Sequence, residues 1–294
     1  MTIHLQADDA GIGKQATTMI LDAWKLGLLN GFGIVANPDC LVQIQEALSE
    51  NRSLECVLCA HLNITDGVAI GGYSNTSILA APDGKLQIGF VQALKILLMG
   101  GVKKRQFLTE VFNEWNAQLA FISKIASERK ITAINGHNYV HMLPSLFKIA
   151  TQLGQKYNIP YIRFVNEPLL LLDIKDIFRM SFYINLCKLF ALWLCKMDIQ
   201  RRKIVFSALS EETFGVLYSG RITAAAVKKN FKKATQRNVN SLEIVFHPGQ
   251  SKSDEMEKWT SLAGSKKFFT HSNRKQEWDT LSQLQSEHVF TNND

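Results

Sequence analysis

Residues 3–28, IHLQADDAGIGKQATTMILDAWKLGL, carry the pattern that decides the fold. An apolar-rich run at 3–7 reads as a strand and ends in two carboxylates, Asp8 and Asp9. A Gly-Ile-Gly turn follows, and then an amphipathic stretch at 16–28 with helical spacing. Strand, turn and helix in that order make half of a crossover unit. The same order recurs down the chain, with β-rich runs at 33–36, 57–61, 131–135, 161–164, 204–207 and 242–247. Helical patterns such as 110–128 and 144–156 lie between them. Such alternation argues for parallel strands joined by crossover helices. About seven strands suit a TIM-like (β/α) barrel, closed or nearly so, better than an open sheet. Residues just past the strand ends then meet on one rim.

Composition agrees with a large core. The 294 residues are 46% apolar and 20% charged, and the six prolines are scattered with no linker-like stretch. We therefore expect a single domain over 1–294, interrupted by an apolar helical insertion around 169–200. A formal charge of +7 and a pI near 9.1 suit an anionic surface or a phosphate-bearing substrate. The basic clusters at 103–105, 201–203, 228–233 and 266–267 read as solvated helix faces. No helix-turn-helix, zinc-finger or aromatic-plus-basic motif accompanies them, which argues against a nucleic-acid partner. Five cysteines, an odd number, and a chain that begins at once as a strand predict free thiols in a reducing cytosol. Cys56 and Cys59 form a CxxC, but inside an apolar strand, where buried core cysteines are the natural reading. Oligomeric state has no signature in the sequence.

Four separate strand ends carry the polar residues of interest. Asp8-Asp9 ends the first, and adjacent carboxylates repel unless a cation compensates them. His61-Leu62-Asn63 ends the third. Asn135-Gly136-His137-Asn138-Tyr139-Val140-His141 ends the fourth, and its two histidines share a side whether the run is helical or extended. His247-Pro248-Gly249 ends the last, where Pro and Gly turn the chain and present the imidazole. One Asp with two His, leaving open positions, is the ligand pattern of a catalytic divalent metal. Such a metal polarises a carbonyl and lowers the pKa of its water, while a free carboxylate takes the proton. Arg163, after the fifth strand, either orients Asp8 or is a plain surface residue.

The ordered motifs ADDAG (7–11), HLNIT (61–65), HNYVH (137–141) and HPG (247–249) resemble those of the YdjC-like carbohydrate deacetylases, the ChbG/HpnK family. Arg274-Lys275-Gln276-Glu277 resembles the family's late Arg-x-x-Glu motif. The resemblance implies a TIM-like barrel that removes N-acetyl groups from amino sugars with one divalent metal ion, zinc or magnesium. It implies Asp9, His61 and His137 as metal ligands, Asp8 as general base, and His247 as an acid or transition-state stabiliser. Asn63, His141, Arg163 and Arg274 are expected around the substrate or behind the ligands. The chain departs from the family pattern at Ala10, where Phe is usual, and at 135–139, where Asp-Ser-His-His-His is usual. Asn135 then changes the support of the metal, and Asn138 and Tyr139 point away from soluble chitooligosaccharides.

The run from Met180 to Met197, MSFYINLCKLFALWLCKM, breaks the alternation. On a helical projection Ser181, Asn185, Lys188 and Lys196 fall on a narrow polar stripe, and the rest is apolar. Arg179 and Arg201-Arg202-Lys203 flank it. It reads either as a helix covering the barrel or as an interfacial helix lying on an anionic, inner membrane surface. The second reading predicts a peripheral deacetylase of a lipid-linked, polyprenyl-phosphate N-acetylhexosamine, with apolar side chains pointing outward beside the site. The alternatives are a deacetylase of soluble chitooligosaccharides, a metal-dependent phosphoester hydrolase, and a binding protein that has lost catalysis. Asp8 and His247 argue against the last, since binding alone needs neither.

Overall fold

In the computed structural model, which describes residues 1–126, 129–170 and 180–290, seven strands form one parallel sheet. The strands are β1 (Thr2–Ala10), β2 (Gly31–Ile34), β3 (Val57–Leu62), β4 (Ala133–Gly136), β5 (Tyr161–Ile162), β6 (Glu212–Phe214) and β7 (Ser241–Phe246). Their order across the sheet is β5-β4-β3-β2-β1-β7-β6, and every pairing is parallel. The connecting helices include α1 (Lys14–Lys25), α2 (Leu41–Glu50), α3 (Phe90–Met99), α4 (Gly101–Ala126), α5 (Pro144–Lys156) and α6 (Met180–Arg201). After them come α7 (Ala224–Gln236), α8 (Ser253–Trp259), α9 (Ala263–Phe269) and α10 (Asn273–Ser286).

The sheet curls until its edges nearly meet. The predicted sixth strand at 204–207 is not one. Its end survives only as a parallel bridge between Ile162 and Ala208, with the Ile162 amide donating to Ser207 O at 2.9 Å. The true β6 lies a few residues later and pairs with β7, while the Thr213 amide donates to Asn166 O at 3.2 Å. The seam between β5 and β6 is thus bridged by single hydrogen bonds rather than a ladder, a barrel incompletely closed. Helix α5 matches the predicted 144–156 span. Helix α4 begins nine residues before the expected 110 and is described to Ala126, so that Glu128 lies outside the described residues.

Strand periodicity assigns the two faces. Outward positions such as Ala7, Phe32, Leu58 and Ile244 pack against the helices, where Trp24 and Trp115 are fully buried. Inward positions include the polar residues Gln6, Asn135 and Glu243 and the thiol of Cys59, all buried. The Cys59 thiol lies 3.7 Å from Gln6 Oε1. Both Cys56 and Cys59 are free, and burial pushes the Cys56 thiol up to about 12 and Cys59 well above its usual range. Cys59 lies buried within β3, and Cys56 lies half-buried just before it. Further along the same inward rows, at the C-terminal ends of the strands, stand Asp8 after Gln6, His61 after Cys59, and His247 after Glu243 and Val245.

Candidate active site and metal centre

A regular strand would send Asp8 and Asp9 to opposite faces of the sheet. Here β1 slips register against β2 between Ala7 and Ala10, and Asp9 adopts φ 76°. A bulge with a left-handed residue costs conformational energy, and a non-glycine holds it only when its surroundings demand it. The result is that both carboxylates enter one cavity. Gly11, at φ 113°, completes the turn; a Cβ there would collide with the carbonyl oxygen of Val35.

Asp9 meets two imidazoles. His61 Nε2 lies 3.5 Å from Asp9 Oδ1, His137 Nδ1 lies 3.2 Å from the same oxygen, and the two nitrogens are 3.4 Å apart. Three donors each about 2.0–2.1 Å from a tetrahedral ion stand about 3.3–3.4 Å apart. The triangle therefore has the dimensions of three corners of a tetrahedral divalent site. Each ligand is held from behind. His61 Nδ1 is 2.8 Å from Asn135 Oδ1, His137 Nε2 is 3.3 Å from Asp66 Oδ2, and Arg274 donates to Asp9 Oδ2 at 3.0 Å. These partners fix ring orientation and leave the facing nitrogens as ligands. Burial opposes charge on His137, but hydrogen bonds to Asp66 and Asp9 outweigh it and raise its pKa to about 9. Positive charge is favoured at this point, whether brought by a proton or by a metal.

Asp8 stands beside the triangle. Arg163 grips it with two bonds, Nη1 to Oδ2 at 2.6 Å and Nη2 to Oδ1 at 3.0 Å, and Asn135 Nδ2 donates to Oδ1 at 3.1 Å. Arg163 is itself braced by Glu243 through Nε at 2.9 Å. Burial works against the Asp8 anion, yet the guanidinium and His61 hold its pKa down to about 2. Three of its lone-pair sites are filled and one remains. His247 faces the same cavity edge-on to Phe268, and its backbone amide donates to Glu277 at 2.5 Å. Burial pushes its imidazole down to about 4, so it is neutral at pH 7.

Not every expected residue reaches the cavity. His137 and His141 part company, because Asn138 and Tyr139 are both left-handed and turn the chain between them. His141 is buried behind the site with Nε2 3.0 Å from Arg163 O. The expectation that both histidines share a side is corrected. Asn63 also lies behind the site, where its side chain accepts from the Thr65 amide at 2.8 Å and donates to Asp66 O, shaping the turn that presents Asp66. Asp66 itself escaped the sequence reading, although it stands four residues after Leu62 in a polar run at the end of β3; its carboxylate also accepts from Thr260 and Ser265. Lys188 escaped too. Read as one residue of a polar stripe, it reaches from α6 into the cavity with Ser181 and Asn185. Its ammonium sits 4.7 Å from the Tyr139 ring, and burial lowers its pKa to about 8.

The family model described as YdjC-like protein matches residues 2–290. The chain belongs to that family. A Mus musculus protein named carbohydrate deacetylase is 27% identical over 164 residues, 55% of this chain and 49% of the mouse protein. A Homo sapiens protein of the same name is 26% identical over 166 residues, 55% of this chain and 48% of the human protein. The match thus spans about half the length of these curated relatives. A crystal structure of a candidate cellobiose-phosphate cleavage protein from Enterococcus faecalis V583 has a TM-score of 0.66 and 17% identity, covering 98% of this chain and 93% of that one. That likeness establishes a shared fold.

Proposed function

We propose that this YdjC-like protein is a metal-dependent N-deacetylase of amino sugars, acting on an N-acetylhexosamine carried by a polyprenyl phosphate. The observation that carries the reading is the Asp9–His61–His137 triangle with Asp8 clamped beside it. The names of the mouse and human relatives support the substrate class.

A divalent ion held by Asp9, His61 and His137, zinc or magnesium, would supply Lewis-acid polarisation of the acetamide and a more acidic water. Asp8 is a carboxylate across the physiological range, and its remaining lone pair accepts the proton of the attacking water. Arg163 and Asn135 keep its plane aimed at that position. His247 is neutral and carries one N–H, which suits it to donate a hydrogen bond to the developing oxyanion, and the proton that Asp8 takes from the water is the one that passes to the departing amine.

Helix α6 supports the lipid-linked part of the reading. Met180, Tyr183, Ile184, Phe190, Leu194 and Met197 recur at helical spacing and are 48–75% exposed. The opposite side of the helix lines the cavity through Ser181, Asn185 and Lys188. The helix is long and apolar enough to cross a membrane by length and composition alone, with only 22% of its apolar window buried. Leu98 and Met99 at the end of α3 and Val102 at the start of α4 are exposed as well, and both α3 and α6 pack on the turn at 137–142. An apolar surface of this kind, flanked by Arg201 and Lys203, fits the acyl boundary of an anionic inner leaflet, each cation contributing about 1 kcal/mol. Of the proposed flanks, Arg179 and the stretch 171–179 lie outside the described residues.

The test is acetate release from free and polyprenyl-phosphate-linked N-acetylhexosamines, with and without zinc, beside sedimentation with anionic vesicles. Metal-dependent release, greater with the lipid-linked sugar, is expected. Release from chitooligosaccharides alone, or vesicle binding unchanged in an Ile184→Glu/Phe190→Glu variant, would return the protein to a soluble role. No acetate release from any sugar would overturn the deacetylase reading.

A further inference from the structure

The cavity of about 320 Å³ that holds the triangle has a second wall, built by α6 and the loop after β6. Asn185 Nδ2 donates to Leu217 O at 3.1 Å and fastens the helix to that loop, which carries Ser219. Glu167 fixes the loop from below, accepting the amides of Gly215, Val216 and Leu217 at 2.9, 2.6 and 3.0 Å. Lys188 and Ser219 therefore project from a braced wall rather than a loose one.

The cations of the site differ in what they do. Arg163 is committed to Asp8 and Glu243, and Arg274 to Asp9 and Gly249 O. Lys188 Nζ has neither an ion pair nor a hydrogen bond among the described residues, and it lies over the face of the Tyr139 ring. The two aspartates already have their own guanidinium groups, so Lys188 is not needed to neutralise them. A divalent ion on the triangle would add positive charge and leave the ammonium still less to pair with. A half-buried ammonium without a partner carries a desolvation cost, which a ligand can offset. The hydroxyl of Ser219, on the same wall, is a further donor with no partner among the described residues.

We propose that Lys188, with Ser219 beside it, forms a subsite for a phosphoryl group borne by the substrate sugar. This rests on the deacetylase reading and names a substrate class within it. The chemistry suits a phosphoryl group: an ammonium is a compact charge with three rotatable donors, and a lysine binds phosphate as a point charge. A sugar lying between the two walls has its acetamide on the triangle and its phosphoryl substituent on α6. Both a soluble sugar phosphate and a lipid phosphodiester carry this group.

The experiment compares wild type, Lys188→Met and Lys188→Arg in two measurements. In the first, N-acetylglucosamine 1-phosphate is titrated into metal-free protein by calorimetry, with neutral methyl N-acetylglucosaminide as control. Wild type is expected to prefer the phosphate, Lys188→Met to lose that preference by at least tenfold, and Lys188→Arg to regain part of it. In the second, the ratio of kcat/KM for the 1-phosphate to that for the neutral glycoside is expected to fall at least tenfold in Lys188→Met, mainly through KM. A polyprenyl-phosphate-linked sugar assayed beside the free 1-phosphate tells which source is used, and a preference for either supports the subsite. Equal binding of the phosphate by wild type and Lys188→Met overturns the proposal. So does a fall in kcat common to charged and neutral sugars, which would place Lys188 on the reacting carbonyl. Because the titration needs no turnover, it stands even if no acetate is released.

Discussion

Replacing Arg163 by Met tests whether the Asp8 clamp is as important as its geometry implies. The side chain is 1% exposed and satisfies two buried carboxylates at once, Asp8 through two bonds and Glu243 through Nε. Breaking a buried pair by removing one partner costs about 3–5 kcal/mol, because an uncompensated charge stays behind. In the wild type the Asp8 pKa is about 2 against an ordinary 3.8. That depression contributes roughly 2 kcal/mol, present above about pH 4 and lost as pH falls toward 2. Without the guanidinium, burial dominates and the Asp8 pKa should rise above its unfolded value. The sign then reverses: the folded variant binds more protons than the unfolded chain, and its stability declines as pH rises through the raised pKa. Urea unfolding of metal-free wild type and variant at pH 5 and pH 8 reads this directly. We expect a loss of at least 3 kcal/mol at pH 8 and a smaller loss at pH 5. A loss below about 1 kcal/mol, equal at both pH values, would refute the reasoning.

Three further outcomes follow from the same geometry. Asp8→Asn should keep the metal in an equilibrium-dialysis measurement yet lose turnover by roughly 100-fold or more, since an amide cannot take the proton; loss of metal would mean that the two aspartates have exchanged roles. Asp66→Asn should weaken zinc binding about 10–100-fold in a chelator competition, because His137 Nε2 loses its carboxylate; unchanged affinity would remove Asp66 from the metal's support. Burial lifts Glu167 to about 7 against the three amides it accepts, so the folded state holds its proton where the unfolded chain, near 4.5, does not. Stability should therefore fall as pH rises from about 4.5 to 7, and Glu167→Gln should flatten that slope in urea unfolding; parallel slopes for the two proteins would count against it.

Local periodicity made much of this protein legible from its residues alone. The alternation of strand and helix and the polar residues at strand ends follow from short-range spacing, whereas the grouping of Asp9 with His61 and His137 rests on the resemblance to the YdjC-like family. The sixth strand does not follow from spacing, because the apolar run at 204–207 has strand composition, while the pairing that defines β6 depends on register with β7, some thirty residues on. Tertiary structure decided how the site is aimed. Nothing local says that Asp9 takes φ 76° so that two neighbouring carboxylates face one cavity. That conformation is held by Arg274, His61 and His137, partners up to 265 residues away. The same holds for His141, which four-residue spacing puts with His137 and two left-handed residues turn away. Helix α6 shows the division most plainly. Its sequence determined an apolar helix with a narrow polar stripe, and only its packing against the 215–220 loop turned that stripe into the site and left the apolar face to solvent. Spacing fixes which side chains share a face, but the face that is buried depends on contacts from distant parts of the chain.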